Sequence, residues 1–165
     1  MLNESDFRRY NILAWETDAL YHAISLGFGL TDSAVNILYL ICFEGGKAML
    51  GDIVRHSGLQ KQTINSSMRL LEKKGIVTLE KVNGKMKCAV LTREGSQLCD
   101  RTVRRLIEWE NRAMGSFTKK EVDTFLRLME KYLRSMELSL EGYMLEKAKK
   151  SLREDKGENN EADNI

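Results

Sequence analysis

Apolar residues recur at helical spacing along most of the chain and give way to alternation over one short stretch. From Asp6 to Leu26 they fall at Phe7, Tyr10, Leu13, Ala14, Leu20, Tyr21 and Ile24, which marks a first helix that Gly27 and Gly29 end. Thr31 is placed to cap a second, because its hydroxyl can accept from a first-turn amide, and Val35, Ile37, Leu38, Leu40 and Ile41 follow before Gly45-Gly46. That helix is apolar on most sides and should lie deep in the core. A short third helix fits Leu50 to His56, with Ile53 and Val54 inward. A fourth fits Gln60 to Lys74, with Ile64, Met68 and Leu71 on one face. Joined by Ser57-Gly58-Leu59, the two read as a helix-turn-helix.

After Gly75 the period changes. Ile76-Val77-Thr78-Leu79 and the alternating Cys88, Val90 and Thr92 flank an Asn83-Gly84 turn, which is a β-hairpin pattern. A hairpin directly after a helix-turn-helix makes a winged helix. Leu98, Val103, Leu106, Ile107, Ala113, Met114 and Phe117 then mark a fifth helix, and Thr118-Lys119-Lys120-Glu121 has the form of a capping box that opens a sixth. In the sixth, Val122, Leu126, Met129, Leu133, Met136, Leu140 and Tyr143 step by 4, 3, 4, 3, 4 and 3, a coiled-coil-like seam, with Phe125, Leu128, Tyr132 and Leu138 outside it. The expected fold class is mainly α with a small β-wing. An N-terminal helix occupies residues 1–30, a winged helix-turn-helix 31–92 and C-terminal helices 93–150. The polar residues 151–165 are expected to form a disordered tail.

Composition adds exclusions. The 165 residues include no proline, so collagen-like and proline-linker classes are out and helices run without their strongest breaker. Cys42, Cys88 and Cys99 form no CxxC, and the histidines are only His22 and His56, so neither a disulfide framework nor a metal site is expected. Met1 to Tyr10 lacks the apolar core of a signal peptide, and no apolar run is long enough to span a bilayer. A cytoplasmic protein without a membrane partner or cofactor is the expectation.

Charge changes the picture more. The net of +2 conceals a segment, Lys47 to Arg93, with ten basic and three acidic residues, a local +7 against −5 for the rest. A basic segment that coincides with a helix-turn-helix and wing is what duplex DNA requires, because cations that neutralise phosphates release condensed counterions.

The order of elements, with Leu30-Thr31 opening the second helix, Ser57-Gly58-Leu59 before the fourth, Leu71 to Val77 leading into the hairpin and Leu91-Thr92-Arg93-Glu94-Gly95 leaving it, resembles the MarR family of bacterial transcriptional regulators over about residues 7 to 148. The resemblance implies a homodimer built from the first helix and the last two. The long apolar seam, with more apolar surface than a small domain can bury, argues the same way. A two-fold dimer presents two recognition helices to a pseudo-palindromic double-stranded operator.

In the major groove the fourth helix would offer Gln60, Lys61, Gln62, Thr63, Asn65, Ser66, Ser67 and Arg69, residue types that pair with base edges or phosphates. The wing tip would add Asn83, Gly84, Lys85 and Lys87. Similar proteins carry Asp-x-Arg at this tip. Asn83 and Lys85 stand there instead, lacking the planar fork and its charged brace, so backbone contact is expected rather than minor-groove readout. Many relatives bind a small aromatic effector between the dimer base and the DNA-binding lobe, which makes Trp15, Tyr21, His22 and Trp109 the candidate lining residues. Cys42 is assigned to the core, with Cys88 and Cys99 the more open thiols. The function expected is that of a homodimeric repressor whose operator binding responds to a small ligand. The alternative is a winged-helix interaction module, an adaptor or antirepressor, that does not read DNA. No nucleophile elbow, phosphate-binding GxxxxGK[ST] or HExxH is present, so no enzyme is expected.

Overall fold

The computed structural model describes residues 4–84 and 86–161, with side chains through residue 148. In order they form α1 (Glu4–Gly27), α2 (Asp32–Phe43), β1 (Lys47–Met49), α3 (Leu50–His56), α4 (Lys61–Lys73), β2 (Val77–Asn83), β3 (Met86–Leu91), α5 (Arg93–Arg101), α6 (Val103–Met114) and α7 (Lys119–Glu161). They divide into two compact units, Met1–Asn111 and Arg112–Ile165.

In the first unit α1 ends on a left-handed Gly29 (φ +68°), whose neighbours close the helix through Leu30 N–H to the Ser25 carbonyl. Thr31 then caps α2, accepting from the Ala34 amide at 3.2 Å. As its pattern requires, α2 is the centre of the core: Ile37, Leu38 and Ile41 are fully buried, with Ile53 of α3 and Ile64, Met68 and Leu71 of α4 packed in the same cluster. Val54 points outward, contrary to expectation. Consecutive helical residues lie about 100° apart, so a short helix packed on one side cannot bury both Ile53 and Val54.

The hairpin forms with β2 and β3 antiparallel, and a third strand joins it in the order β1-β3-β2. Strand β1 places buried Ala48 opposite Ala89. Its three residues are too few to show a period. Thr92 ties the hairpin to the next helix: its hydroxyl donates to the Gly75 carbonyl (2.6 Å) and accepts from the Gly95 amide (2.9 Å), capping α5. At Gly95 the helix meets the Ile76 backbone so closely that an added Cβ would lie 1.9 Å from the carbonyl oxygen. Only glycine fits that approach.

The single fifth helix expected from the apolar spacing is two helices. Thr102, buried and at φ −130°, ψ −93°, separates α5 from α6, while its hydroxyl bonds the Leu98 carbonyl at 2.6 Å. No glycine or proline marks the break, and the apolar spacing runs across it.

The second unit is dominated by α7. The capping box is formed: the Thr118 amide donates to Glu121 Oε2 (2.8 Å) and the Glu121 amide to Thr118 Oγ1 (3.3 Å). The Thr118 hydroxyl, which donates to the same Glu121 oxygen at 2.7 Å, and then the Thr118 amide hold the Glu121 carboxyl below its ordinary range. The helix runs 43 residues and continues through residues 151–161, where a disordered tail was expected, because Lys, Arg, Leu and Glu are good helix formers and no proline intervenes. The last four residues of that tail, 162–165, lie outside the described residues. Among its described side chains α7 buries none.

Candidate nucleic-acid interface

Helix α4 is strongly two-faced. Its inner face is buried, and its outer face exposes Gln60 at the N-cap followed by Lys61, Gln62, Asn65, Ser66 and Arg69. Gln60 has extended backbone and makes no side-chain cap bond, so the first-turn amides are left to solvent or to an anion. The remaining two sequence candidates behave differently. Thr63 is half-buried, and Ser67 turns toward α2, its hydroxyl 2.8 Å from that of Ser33. The Ser66 hydroxyl donates to the Thr63 carbonyl at 3.0 Å, which leaves it free only to accept.

The wing stands beside this face. Asn83 and Gly84 are exposed at its tip, with Gly84 left-handed at φ +51°, while Lys85 lies outside the described residues. Lys87 sits directly across the strand pair from Lys81. Like charges in that register destabilise a hairpin and are tolerable where a polyanion compensates them. Lys47 is neutralised by Glu80 at 3.2 Å, whereas Lys61, Arg69 and Lys87 have no ion-pair partner among the described residues. Arg55 of α3, which the sequence reading counted only as part of the basic segment, bonds Asp52 at 2.7 Å.

The effector candidates are only partly brought together. The Tyr21 hydroxyl donates to Glu110 Oε1 (2.6 Å) and the Tyr39 hydroxyl to Glu110 Oε2 (2.7 Å), so one carboxylate of α6 ties α1 to α2. Partial burial, reinforced by Glu110, pushes the Tyr21 phenol up to about 12 and raises Tyr39 in the same way. Trp109 stacks on Phe28 with centroids 6.1 Å apart. His22 instead bonds Asp32 at 2.8 Å, which holds that carboxyl below its ordinary range, and Trp15 stands 66% exposed. A cleft of about 450 Å3 lies between the α1–α2 turn and α4, lined by Leu26, Phe28, Leu30, Leu70 and Lys74 among others, and none of the four candidates reaches it. Tyr39 and Glu110 were missed because their pairing joins residues far apart in sequence.

The thiols are the reverse of expectation. Cys88, on the inward side of β3, donates to the Ala48 carbonyl at 3.2 Å and is buried, as is Cys99. Cys42 is the half-buried one. Hydrogen bonding to Cys42, and then burial, raises the Cys99 thiol. Among the described residues no three of His, Cys, Asp or Glu gather in a metal-binding arrangement, and no single helix is long and apolar enough to cross a membrane.

The comparisons agree with this geometry. The MarR family model matches residues 28–84, which spans α2 through the wing tip. A search of curated proteins finds no relative of the chain. Among solved structures, a MarR family regulator from Neisseria meningitidis superposes with a TM-score of 0.71 at 16% identity, over 84% of this chain and 97% of that one. AbsC, a MarR family transcriptional regulator from Streptomyces coelicolor, gives 0.64 at 18% identity over 82% and 98%. NadR in complex with 4-hydroxyphenylacetate gives 0.62 at 18% identity over 79% and 96%. The helix-turn-helix and hairpin are therefore a match to the MarR family, and the chain has the winged-helix fold of MarR family transcriptional regulators.

Proposed function

We propose that the chain is a cytoplasmic, homodimeric, sequence-specific repressor that binds a pseudo-palindromic double-stranded operator and responds to a small ligand. The observation that carries the DNA reading is the outer face of α4, where Gln60, Lys61, Gln62, Asn65 and Arg69 are exposed inside the most basic segment of the chain, Lys61 and Arg69 without an ion-pair partner among the described residues. Gln and Asn suit adenine edges, and Lys and Arg suit guanine or phosphate. Ser67 drops out of the reading set. The dimer reading rests on α7, whose seam residues Leu126, Leu133, Met136 and Leu140 are about half exposed or more in the single chain. A two-fold pairing of such helices buries them and sets two recognition helices one turn of DNA apart.

The effector reading is supported by Tyr21 and Tyr39 sharing the Glu110 carboxylate, and by the stack of Trp109 on Phe28, which also lines the cleft between the α1–α2 turn and α4. A ligand seated against Glu110 meets a carboxylate, which favours hydrogen-bond donors or cations over the aromatic acid bound by NadR. Lys61→Glu and Arg69→Glu should each abolish DNA binding while leaving the circular dichroism spectrum and the sedimentation coefficient unchanged. Unaltered affinity in both would refute the recognition-helix placement.

A further inference from the structure

A second cleft, of about 480 Å3, lies between α3 and the wing, next to the exposed face of α4. Met49, Val54 and Met86 form an apolar floor, and Arg55, Lys61 and Lys87 stand around it. These three cations come from three different elements, α3, α4 and β3. Among the described residues the one carboxylate lining the cleft, Asp52, is bonded to Arg55 at 2.7 Å. Charge complementarity therefore calls for an anion. The apolar floor suits a deoxyribose face better than a free inorganic ion, and the place beside α4 is where the flanking strand of a duplex would run if α4 occupies the major groove.

We propose that this cleft seats a sugar–phosphate segment of duplex DNA, with Arg55 holding the phosphate and Asp52 acting as the positioning residue for Arg55. The proposal rests on the DNA-binding reading above. Both side chains are substantially exposed, 70% for Arg55 and 49% for Asp52, so the pair adds little to stability. Its effect is orientational. Asp52 takes one guanidinium nitrogen of Arg55, which lines the cleft, and the remaining donors of the planar fork suit a phosphate in a way that lysine cannot reproduce. The first helix of a helix-turn-helix crosses the backbone in this way while the second reads bases.

The test needs no operator. A fluorescently labelled random-sequence duplex is titrated with the full chain across a salt series. Arg55→Ala should weaken binding about five- to tenfold at moderate salt and lower the slope of log affinity against log salt by about one per protomer. Asp52→Ala separates bracing from simple charge. Removing an anion from a DNA-facing surface should tighten binding if only the field matters, whereas loss of a brace leaves binding no tighter than wild type. In an Arg55→Ala background the brace has nothing to hold, so Asp52→Ala should then tighten binding, a reversal of sign that misfolding would not produce.

A wild-type chain that binds with a full salt slope, matched by Arg55→Ala, overturns the cleft assignment and leaves the DNA reading standing. A wild-type chain that binds no duplex overturns both. Tighter binding by Asp52→Ala in the wild-type background overturns the positioning role. Equal losses toward polyglutamate and duplex on Arg55→Ala would indicate an acidic polypeptide as occupant and overturn the DNA assignment.

Discussion

The winged lobe and α7 are both rich in leucine and methionine, yet they dispose of their apolar surface in opposite ways. In the lobe, Ile37, Leu38, Ile41, Ile53 and Ile64 are fully buried within one chain. In α7, Leu126, Leu133, Leu138, Leu140 and Leu145 are between 48% and 63% exposed. The lobe buries its core within one chain, while the described seam side chains of α7 stay exposed. A helix gains most of its stability from packing, which the lobe supplies within one chain, and the exposed leucines of α7 are the surface on which the proposed dimer rests.

The largest effect expected from breaking this contrast is in α7. Each seam leucine, once buried, contributes about 1.5–3 kcal/mol, so Leu126→Asp with Leu133→Asp should weaken self-association at least about a hundredfold. Analytical ultracentrifugation should show monomer, and the dependence of the melting temperature on protein concentration should disappear. Retained dimer would show that the seam is not the dimer contact.

In the lobe, Ile37→Ala should cost about 2–5 kcal/mol by chemical denaturation at every protein concentration, since it opens a cavity around a fully buried side chain. Gly95→Ala should follow at about 1–3 kcal/mol, because its new methyl group meets the Ile76 carbonyl rather than a movable side chain. A neutral result at Gly95 would show that α5 can slide from the hairpin.

The smallest effect is electrostatic. The Glu121 carboxyl is held below its ordinary value of 4.5 by the Thr118 hydroxyl and amide, so its stabilisation of α7 is present above that value and fades as pH falls through the lowered one. Glu121→Gln should flatten the acid limb of helicity followed by circular dichroism.

What was legible in the sequence was local or periodic. The Thr31 cap, the Thr118–Glu121 box and the inner face of α4 each depend on residues within a turn or two of one another. What escaped depends on contacts between distant segments. β1 is a strand only because β3 lies beside it, and the break at Thr102 leaves the apolar spacing intact. Cys88 and Cys99 are closed off by neighbouring elements, and Glu110 gains its role from two tyrosines on other helices. The site follows the same division. The exposed residues of α4 could be read from one helix, but the turn of Ser67 toward Ser33 depends on α2, and the cleft that Asp52 and Arg55 line depends on the wing beside α3.

A DNA-reading lobe doubled through α7 has a two-fold requirement on its operator. Selection of genomic fragments by the purified full chain at moderate salt tests both halves together. The expected result is enrichment of fragments sharing two inverted half-sites about one helical turn apart, lost on Lys61→Glu. Enrichment of no fragment over bulk competitor, or of an unsymmetrical single site, would contradict it.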